Sequence, residues 1–280
     1  MKYANLHMHS TFSDGGFTPE QLVLIGKSLG YRALALTDHE TDGGCPRFMD
    51  AAKREGILSL SGIEFYGMED GVELHLVGLD FDRDDPKLRA LIQERKDLAI
   101  ERARMRVEKA LEMGLIHGMT FQDVLDRSEP GTWVCVDTII ATIKAKTAVP
   151  DNFDWAKFRW TLFKSPEAKK MDPPKASAER VIRTVRQAGG VIALAHPYKQ
   201  THFVEKLVGY GLNGIEISHP ELFENTAYLA LQAADTFGLY HCGGTDHWGP
   251  MSCCGGNLAI PVFNGITEEE FTAIKERRLG

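Results

Sequence analysis

The sequence predicts an α/β protein in which parallel strands alternate with helices and a helical insertion interrupts the pattern. Short aliphatic or β-branched runs recur along the 280 residues, and each is followed by a helix-like segment or a turn. One long central stretch shows only helical periodicity. Histidines follow the ends of the predicted strands, which is the edge where parallel α/β folds and barrels collect functional side chains.

Seven runs predict the strands. The third and fourth are joined by Glu69-Asp70-Gly71, whose Asp-Gly pair favours a tight hairpin turn. The other connections are long enough for helices, as a parallel sheet requires. The predicted strands are Tyr3 to His7, Ala33 to Leu36, Leu58 to Ile63, Val72 to Phe81, Val191 to Ala195, Gly214 to Ile217 and Leu239 to Gly243.

The central stretch predicts a helical insertion. Apolar residues recur there at three-to-four spacing among charged ones as far as Gly114, which suits a helix C-terminus. Thr120 and Asp123 resemble a capping box that begins another helix. The predicted organisation is a strand-and-helix body of residues 1–85 and 176–280, with an insertion of residues 86–175.

Charge and cysteine usage disfavour several classes of protein. The 32 basic and 39 acidic residues give a net charge of −7, which disfavours binding of duplex DNA or an anionic membrane. No apolar run approaches the ~20 residues needed to cross a bilayer, and Met1-Lys2-Tyr3 leads into a strand rather than a signal peptide. The five cysteines are scattered and odd in number, which indicates reduced thiols in a cytoplasmic protein.

Most of the ten histidines lie in or just after the predicted strands, together with acidic residues. One such histidine is more often a hydrogen-bonded structural group, but so many at one edge favour a metal site. Imidazole and carboxylate together suit zinc, manganese or iron. His7 and His9 are two apart in a strand, so they share a face and can chelate one ion. The candidates are His7, His9, Asp14, Asp38, His39, Glu64, His75, His196, His219, Asp246 and His247.

Other polar residues receive structural interpretations. His117, His202 and His241 do not follow the strand-end pattern, so we interpret them as structural or solvated. Asp38 is expected to orient His39 or to cap a helix rather than to bind metal, because carboxylates commonly hold ligating histidines from behind.

The candidates lie in short motifs that follow one another in a fixed order along the chain. These are Asn5-Leu6-His7-Met8-His9-Ser10, Ser13-Asp14-Gly15, Leu36-Thr37-Asp38-His39-Glu40, Gly62-Ile63-Glu64, Leu74-His75-Leu76-Val77-Gly78, Ala195-His196-Pro197, Gly214-Ile215-Glu216-Ile217-Ser218-His219-Pro220 and Gly243-Gly244-Thr245-Asp246-His247. The ordered set resembles the polymerase and histidinol phosphatase (PHP) family of metal-dependent phosphoesterases. A helical insertion is typical of the branch that acts on small molecules and oligonucleotides.

This resemblance implies a distorted (β/α)7 barrel with the insertion covering an active site that holds two or three divalent ions, manganese, iron or zinc. Several carboxylates would neutralise the closely spaced ions. Carried over residue by residue, His7, His9, Glu64 and Asp246 hold the first ion. Glu64 bridges to a second ion, held by His75 and His196, and Asp14 and His39 hold a third.

The sequence departs from the family pattern after the last strand. Relatives usually carry Asp-x-His there, whereas Asp246 and His247 are adjacent and Trp248 stands in the expected histidine position. His247 is therefore a further candidate ligand whose spacing is unusual.

A second departure concerns the substrate phosphate. Many relatives carry Arg-x-His where this chain has Val134-Cys135-Val136-Asp137, and neither residue is present. Asp137 would then take the place of the histidine, and another cation must meet the phosphate. Lys199 is the expected substitute, followed by Arg159 and Lys164 in the insertion.

The predicted function is hydrolysis of a small phosphate mono- or diester, such as a nucleotide, a cyclic sugar phosphate or a short oligonucleotide. Water deprotonated on a metal ion attacks phosphorus, and Asp246 or His219 assists proton transfer to the leaving oxygen. His219 is the candidate for an acid or a phosphate contact. Two alternatives remain open: a non-catalytic metal-binding module of a nucleic-acid enzyme, and an amidohydrolase-like C–N hydrolase.

Overall fold

The computed structural model describes residues 2–129, 132, 134–147, 149–150, 152–247 and 264–277, without the side chain of Asp137. The strands are β1 (Ala4–Asn5), β2 (Ala33–Ala35), β3 (Leu58–Leu60), β4 (Gly62–Glu69), β5 (Val72–Leu79), β6 (Val191–Leu194), β7 (Gly214–Ser218) and β8 (Tyr240–Gly243). The helices are α1 (Pro19–Ser28), α2 (Cys45–Glu55), α3 (Pro86–Glu112), α4 (Phe121–Arg127), α5 (Val136–Lys146), α6 (Trp155–Arg159), α7 (Pro166–Lys169), α8 (Ala178–Gln187), α9 (Val204–Tyr210), α10 (Glu224–Phe237) and α11 (Glu268–Lys275). A π-helical turn (Trp160–Lys164) follows α6, and a 3₁₀ turn (Thr201–Phe203) precedes α9.

The strands form two sheets. Strands β1, β2 and β3 are parallel and lie in that order. The second sheet has the order β4-β5-β6-β7-β8, in which β5 is antiparallel to both neighbours and the other pairs are parallel. The predicted α/β class is therefore confirmed, with antiparallel pairing at β5 and at an isolated bridge between Ala4 and Ile266.

The third predicted strand is wrong as a single element, because the run divides into β3 and β4, which belong to different sheets. At Gly62 the backbone passes so close to Leu36 that a Cβ atom would lie 2.4 Å from the Leu36 carbonyl oxygen. Only glycine permits this approach, and the chain uses it to pass from one sheet to the other. The described residues thus form eight strands rather than seven.

The predicted hairpin between β4 and β5 is confirmed. Asp70 and Gly71 both adopt positive φ, at 47° and 79°. Two consecutive residues with positive φ form the kind of tight turn that matches the twist of the flanking strands. Strand β5 thereby runs back beside β4 and carries His75 towards the other histidines.

The two sheets meet at two seams made of isolated bridges rather than continuous ladders. At the first seam Met8 bridges to Asp246, whose carbonyl oxygen accepts a hydrogen bond from His9 N at 3.2 Å. At the second seam His39 bridges to Glu64. The described strands therefore do not close into one seven-stranded barrel, because the backbone diverges from strand geometry where the histidines begin.

The described part of the region between residues 86 and 175 consists of helices joined by turns and loops, and it contains no strand. Asp85 caps the long helix α3 by accepting hydrogen bonds from the backbone N–H groups of Lys87 and Leu88. The predicted capping box is present, with Thr120 N donating to Asp123 Oδ2 at 2.7 Å. Apolar residues from α3 to the π-helical turn pack into one cluster of their own. Among the described helices, none is both long and apolar enough to span a bilayer.

Two predictions concern groups outside the histidine cluster: the structural role of His241 and the reduced state of the cysteines. His241 Nδ1 lies 2.9 Å from Glu270 Oε1, which joins β8 to α11. Of the cysteines that the structure describes, Cys45, Cys135 and Cys242 are free and buried.

Candidate metal centre

The predicted ligands converge at one end of the two sheets. The loop after β1 carries His7, His9 and Asp14, and the loop after β2 carries His39. The remaining positions are Glu64 on β4, His75 on β5, His196 after β6, and Asp246 and His247 after β8. Because parallel strands end at the same edge, residues far apart in sequence meet here.

Four groups of side chains could each hold a metal ion, since the ligand atoms of each group lie within 4.8 Å of one another. One of them is His7, Glu216 and His219, and the other three consist of predicted ligands. Of these three, two share His9, and Glu64 of the remaining group lies 3.1 Å from His9 Nε2, so the site is one continuous cluster. The three groups are His9, Asp14, His39 and His247; His7, His9 and Asp246; and Glu64, His75 and His196. Imidazole nitrogens and carboxylate oxygens make up this donor set, which fits zinc, manganese or iron.

Glu64 lies at the centre of the cluster. Its Oε1 atom is 2.9 Å from His75 Nδ1 and 3.2 Å from His196 Nε2. Its Oε2 atom is 3.1 Å from His9 Nε2 and 3.0 Å from His39 Nδ1. One buried carboxylate therefore faces two separate sets of imidazoles, the arrangement expected of a ligand shared between two ions.

Glu216 is a buried residue of the site to which the sequence analysis gave no role. Its Oε1 atom is 2.8 Å from His7 Nδ1, and its Oε2 atom accepts a hydrogen bond from His196 N at 2.7 Å. With Nδ1 of His7 donating to Glu216, the Nε2 lone pair points into the cluster, where His9 Nε2 lies 3.1 Å away. The sequence signal for Glu216 was the presence of a charged residue inside the aliphatic run of β7.

His247 belongs to the cluster despite its unusual spacing. Asp246 has φ of +61°, and this left-handed backbone turns the next side chain inwards. His247 Nδ1 then lies 2.7 Å from Asp246 Oδ1, and His247 Nε2 lies 3.0 Å from Asp14 Oδ1. The ring also stacks on His9, with centroids 4.5 Å apart. Trp248, which stands where relatives have histidine, lies outside the described residues.

The electrostatics of the cluster favour bound cations. Burial raises the pKa of Glu64, but surrounding imidazoles, His39 foremost, lower it well below its ordinary range. Burial and the neighbouring His247 lower the pKa of His9, yet hydrogen bonds to Asp246 and Glu64 raise it to about 9. The buried carboxylates thus stay charged, and divalent ions could supply the positive charge that these carboxylates face once the ligands are deprotonated.

The expectation that Asp38 orients His39 or caps a helix is wrong. The Asp38 carboxylate accepts hydrogen bonds from Ser10 N and Ser10 Oγ, both at 2.7 Å, and from Ser13 Oγ at 2.6 Å. Ser13 Oγ in turn lies 3.3 Å from His9 Nδ1. Asp38 therefore holds the loop after β1 through its hydrogen bonds to Ser10 and Ser13. It is linked to His9 rather than to His39, through the Ser13 hydroxyl.

His219 lies beside the cluster with a defined tautomer. Its Nδ1 atom accepts a hydrogen bond from Glu221 N at 3.1 Å, so the proton of the neutral ring is on Nε2. That Nε2 atom is buried and lies 3.4 Å from Asp246 Oδ2. A ring protonated at Nε2 is a hydrogen-bond donor rather than a metal ligand.

The predicted phosphate contacts lie on different elements. Lys199 is in the loop after β6, and its Nζ atom lies 5.2 Å from the centre of the Tyr198 ring. Arg159 ends α6 and Lys164 ends the π-helical turn. Asp137 is in α5, and its side chain is outside the described part of the structure.

A cavity of about 480 Å³ separates the cluster from the helices of residues 86–175. Thr11 and Asp14 line it on one side, and Arg127 and Thr138 line it on the other. Arg127 is exposed and forms no ion pair with any residue the structure describes, so it is a cation that the sequence analysis missed. Its position at the end of a short helix gave no sequence signal.

Comparison with protein families matches the PHP domain to residues 5–233. A 5'-3' exoribonuclease of Haemophilus influenzae is 30% identical over 252 residues, covering 88% of this chain and 89% of the relative. A phosphoribosyl 1,2-cyclic phosphate 1,2-diphosphodiesterase of Eggerthella lenta is 27% identical, covering 88% and 94%. A 3',5'-nucleoside bisphosphate phosphatase of Chromobacterium violaceum is 28% identical over 267 residues, covering 89% and 88%.

Among solved structures, a Bifidobacterium adolescentis protein described as a candidate metal-dependent phosphoesterase shares the fold. It superimposes with a TM-score of 0.82 over 99% of this chain and 96% of its own, at 23% sequence identity. The likeness extends over the full described fold, including the helical region between β5 and β6.

Proposed function

Since this chain belongs to the PHP domain family, we propose that it is a metal-dependent hydrolase of small phosphate mono- or diesters. The position of Glu64 between two sets of histidines carries this proposal. Three relatives that cover nearly the whole chain are named as phosphoric ester hydrolases, and they support the same reaction class.

We assign the metal ligands from the three groups of side chains. His7, His9 and Asp246 would hold one ion, and Glu64 would be shared with a second ion. His75 and His196 complete the second position, and the remaining ligands, Asp14, His39 and His247, would hold a third. Bound manganese, iron or zinc would lower the pKa of water towards ~7 and neutralise charge on the phosphoryl oxygens.

The protein's own groups then position the proton and the substrate. His219 would donate its Nε2 proton to the leaving oxygen, because this buried atom forms no hydrogen bond within the described residues and lies 3.4 Å from Asp246 Oδ2. Glu216 holds His7 in the tautomer that directs Nε2 into the cluster. These roles divide the site into groups that retain metal and one group that serves proton transfer.

The surroundings favour a small substrate. We propose that the two sheets act as a distorted barrel, with residues 86–175 as an insertion over its mouth. The cavity of about 480 Å³ fits a nucleotide-sized molecule, whereas duplex DNA would need an open, basic surface. Lys199 follows His196 by three residues and Arg127 lines the cavity, so these two cations are the first candidates for the phosphate contact. Asp137, Arg159 and Lys164 are further candidates for substrate contact.

The absence of the family's arginine from the stretch Val134 to Asp137 predicts weak preference for a terminal phosphate. A monoester dianion needs more positive charge than a diester monoanion, and arginine is the usual bidentate partner of phosphate. We expect kcat/KM for a cyclic or short phosphodiester to be at least comparable to that for a sugar phosphate monoester. The measurement needs one manganese-reconstituted preparation and a matched pair of substrates. Lys199→Ala should raise KM for both roughly tenfold, while the exposed Lys53→Ala should change neither.

Contrary outcomes identify the alternatives. A monoester preference of a hundredfold, unaffected by Lys199→Ala, would show that a cation such as Arg127 binds the terminal phosphate. A metal-loaded protein that hydrolyses no phosphate ester in a screen of sugar phosphates, nucleotides, cyclic diesters and oligonucleotides would favour the non-catalytic module. Hydrolysis of amides alone in a parallel screen would favour the C–N hydrolase.

A further inference from the structure

Two exposed aromatic side chains meet beside the metal centre. Tyr198 is 42% exposed and Phe223 is 65% exposed, although both are large hydrophobic groups that are usually buried. Their ring centroids lie 6.3 Å apart with an interplanar angle of 74°. The two residues come from different loops, after β6 and after β7, so the chain brings them together at the surface.

The loops tie this aromatic pair to the candidate site. Tyr198 follows His196 by two residues, and Tyr198 N donates to His196 O at 2.6 Å. Phe223 follows His219 by four residues, and Leu222 N donates to His219 O at 3.0 Å. The rings of His196 and His219 are themselves 5.0 Å apart. The aromatic pair therefore lies within a few residues' reach of the metal ligands and the proposed proton donor.

The turn that presents Tyr198 is conformationally unusual. His196 has φ of +27°, a region that residues with side chains rarely adopt. Such backbone persists only when the surroundings enforce it, and here the buried Glu216 carboxylate accepts a hydrogen bond from His196 N. The position of Tyr198 is thus set by the same contact that supports the metal centre.

A cation accompanies the two rings. Lys199 Nζ lies 5.2 Å from the Tyr198 ring centroid, and Lys199 forms no ion pair with the residues that the structure describes. Aromatic rings stack on bases, and a lysine pairs with phosphate. The two rings and Lys199, beside the proposed phosphoesterase centre, therefore suit the alternating bases and phosphates of a nucleic-acid strand. A sugar phosphate offers no flat ring to such a surface.

We propose that Tyr198 and Phe223 form a stacking subsite for a nucleobase, which places nucleotides or short single-stranded oligonucleotides among the substrates. This inference rests on the proposed function, because it positions the base relative to a phosphate at the metal centre. Lys199 would bind the phosphate attached to that nucleoside, the contact proposed for it above.

The test compares a 5'-phosphorylated triribonucleotide with the same backbone lacking its bases. Binding of fluorescently labelled, hydrolysis-resistant phosphorothioate forms to the metal-loaded protein is measured by anisotropy, and kcat/KM is measured with the natural linkages. Tyr198→Ala and Phe223→Ala should each weaken binding of the base-containing strand about tenfold. Binding of the abasic strand should stay within twofold. Tyr198→Phe, which keeps an aromatic ring, should bind the base-containing strand like the unmodified protein. Tyr228→Ala serves as the matched control, because Tyr228 is a 59% exposed aromatic residue on α10.

The outcomes separate this inference from the reaction itself. If the protein hydrolyses phosphate esters but the alanine variants bind both strands like the unmodified protein, the subsite is wrong and the proposed function stands. Equal losses for the base-containing and abasic strands would also overturn stacking, since they would indicate a general distortion of the loops. A base-dependent loss of binding in a protein without hydrolytic activity would support the subsite and overturn the reaction.

Discussion

Glu64→Gln is expected to abolish activity and to release at least one bound metal ion while the chain remains folded. The substitution preserves size, but an amide supplies one neutral oxygen where the carboxylate faces His75 and His196 with one oxygen and His9 and His39 with the other. Neither ion would then have its shared anionic ligand. We expect a loss of about 10²–10³ in kcat/KM, the usual effect of removing one key electrostatic group from an active site.

Metal content measured by elemental analysis on the same preparation provides the second readout. Two or three equivalents in the unmodified protein should fall by at least one in the variant. Glu73→Gln is the matched control, because its carboxylate also lies near His75, at 3.9 Å, but outside the ligand groups. Circular dichroism and a thermal melt establish folding. Near-normal activity with full metal content in Glu64→Gln would disprove the shared-ligand role.

His219→Gln should separate chemistry from metal binding. The ring accepts a hydrogen bond from Glu221 N, which leaves its Nε2 proton for donation. Loss of a general acid typically costs 10²–10⁴ in rate, so we expect kcat to fall about 10³-fold with unchanged metal content. The loss should shrink towards tenfold or less with a p-nitrophenyl ester, whose leaving group needs no proton.

The dependence on the leaving group is decisive for His219. An equal loss for alkyl and p-nitrophenyl esters, accompanied by missing metal, would identify His219 as a ligand instead. His241→Gln is the control, because His241 pairs with Glu270 away from the centre. It should leave the kinetic parameters with both esters unchanged.

Sequence reasoning could predict that the candidate ligands lie at one edge, because the ends of strands can be predicted from local patterns. Strand-like runs are followed closely by a histidine, as before His39 and His196, and parallel pairing brings the ends of these strands to one edge. It could not place Glu216, because a carboxylate within an aliphatic strand is also compatible with an exposed edge. It misjudged Asp38, whose partners Ser10 and Ser13 come from a loop whose shape no periodicity encodes.

The division of the third run had a different cause. The sequence from Leu58 onwards is continuously strand-like, and the change of sheet at Gly62 depends on contact with Leu36, more than twenty residues earlier. Local propensity contains no information about such a contact. The motifs that resemble the family nevertheless follow the strands in the expected order, because dividing one predicted strand in two does not change the order of the motifs along the chain.

The two seams between the sheets have a consequence for the cohesion of the molecule. One bridges Met8 to Asp246 and the other bridges His39 to Glu64, so each joint between sheets includes candidate ligands. Separating the sheets would pull the ligand set apart. By thermodynamic linkage, ions that bind only the assembled cluster stabilise it by RT ln(1 + [ion]/Kd). Bound metal would therefore oppose partial opening between the sheets. The same few side chains would then support both the cohesion of the two sheets and catalysis.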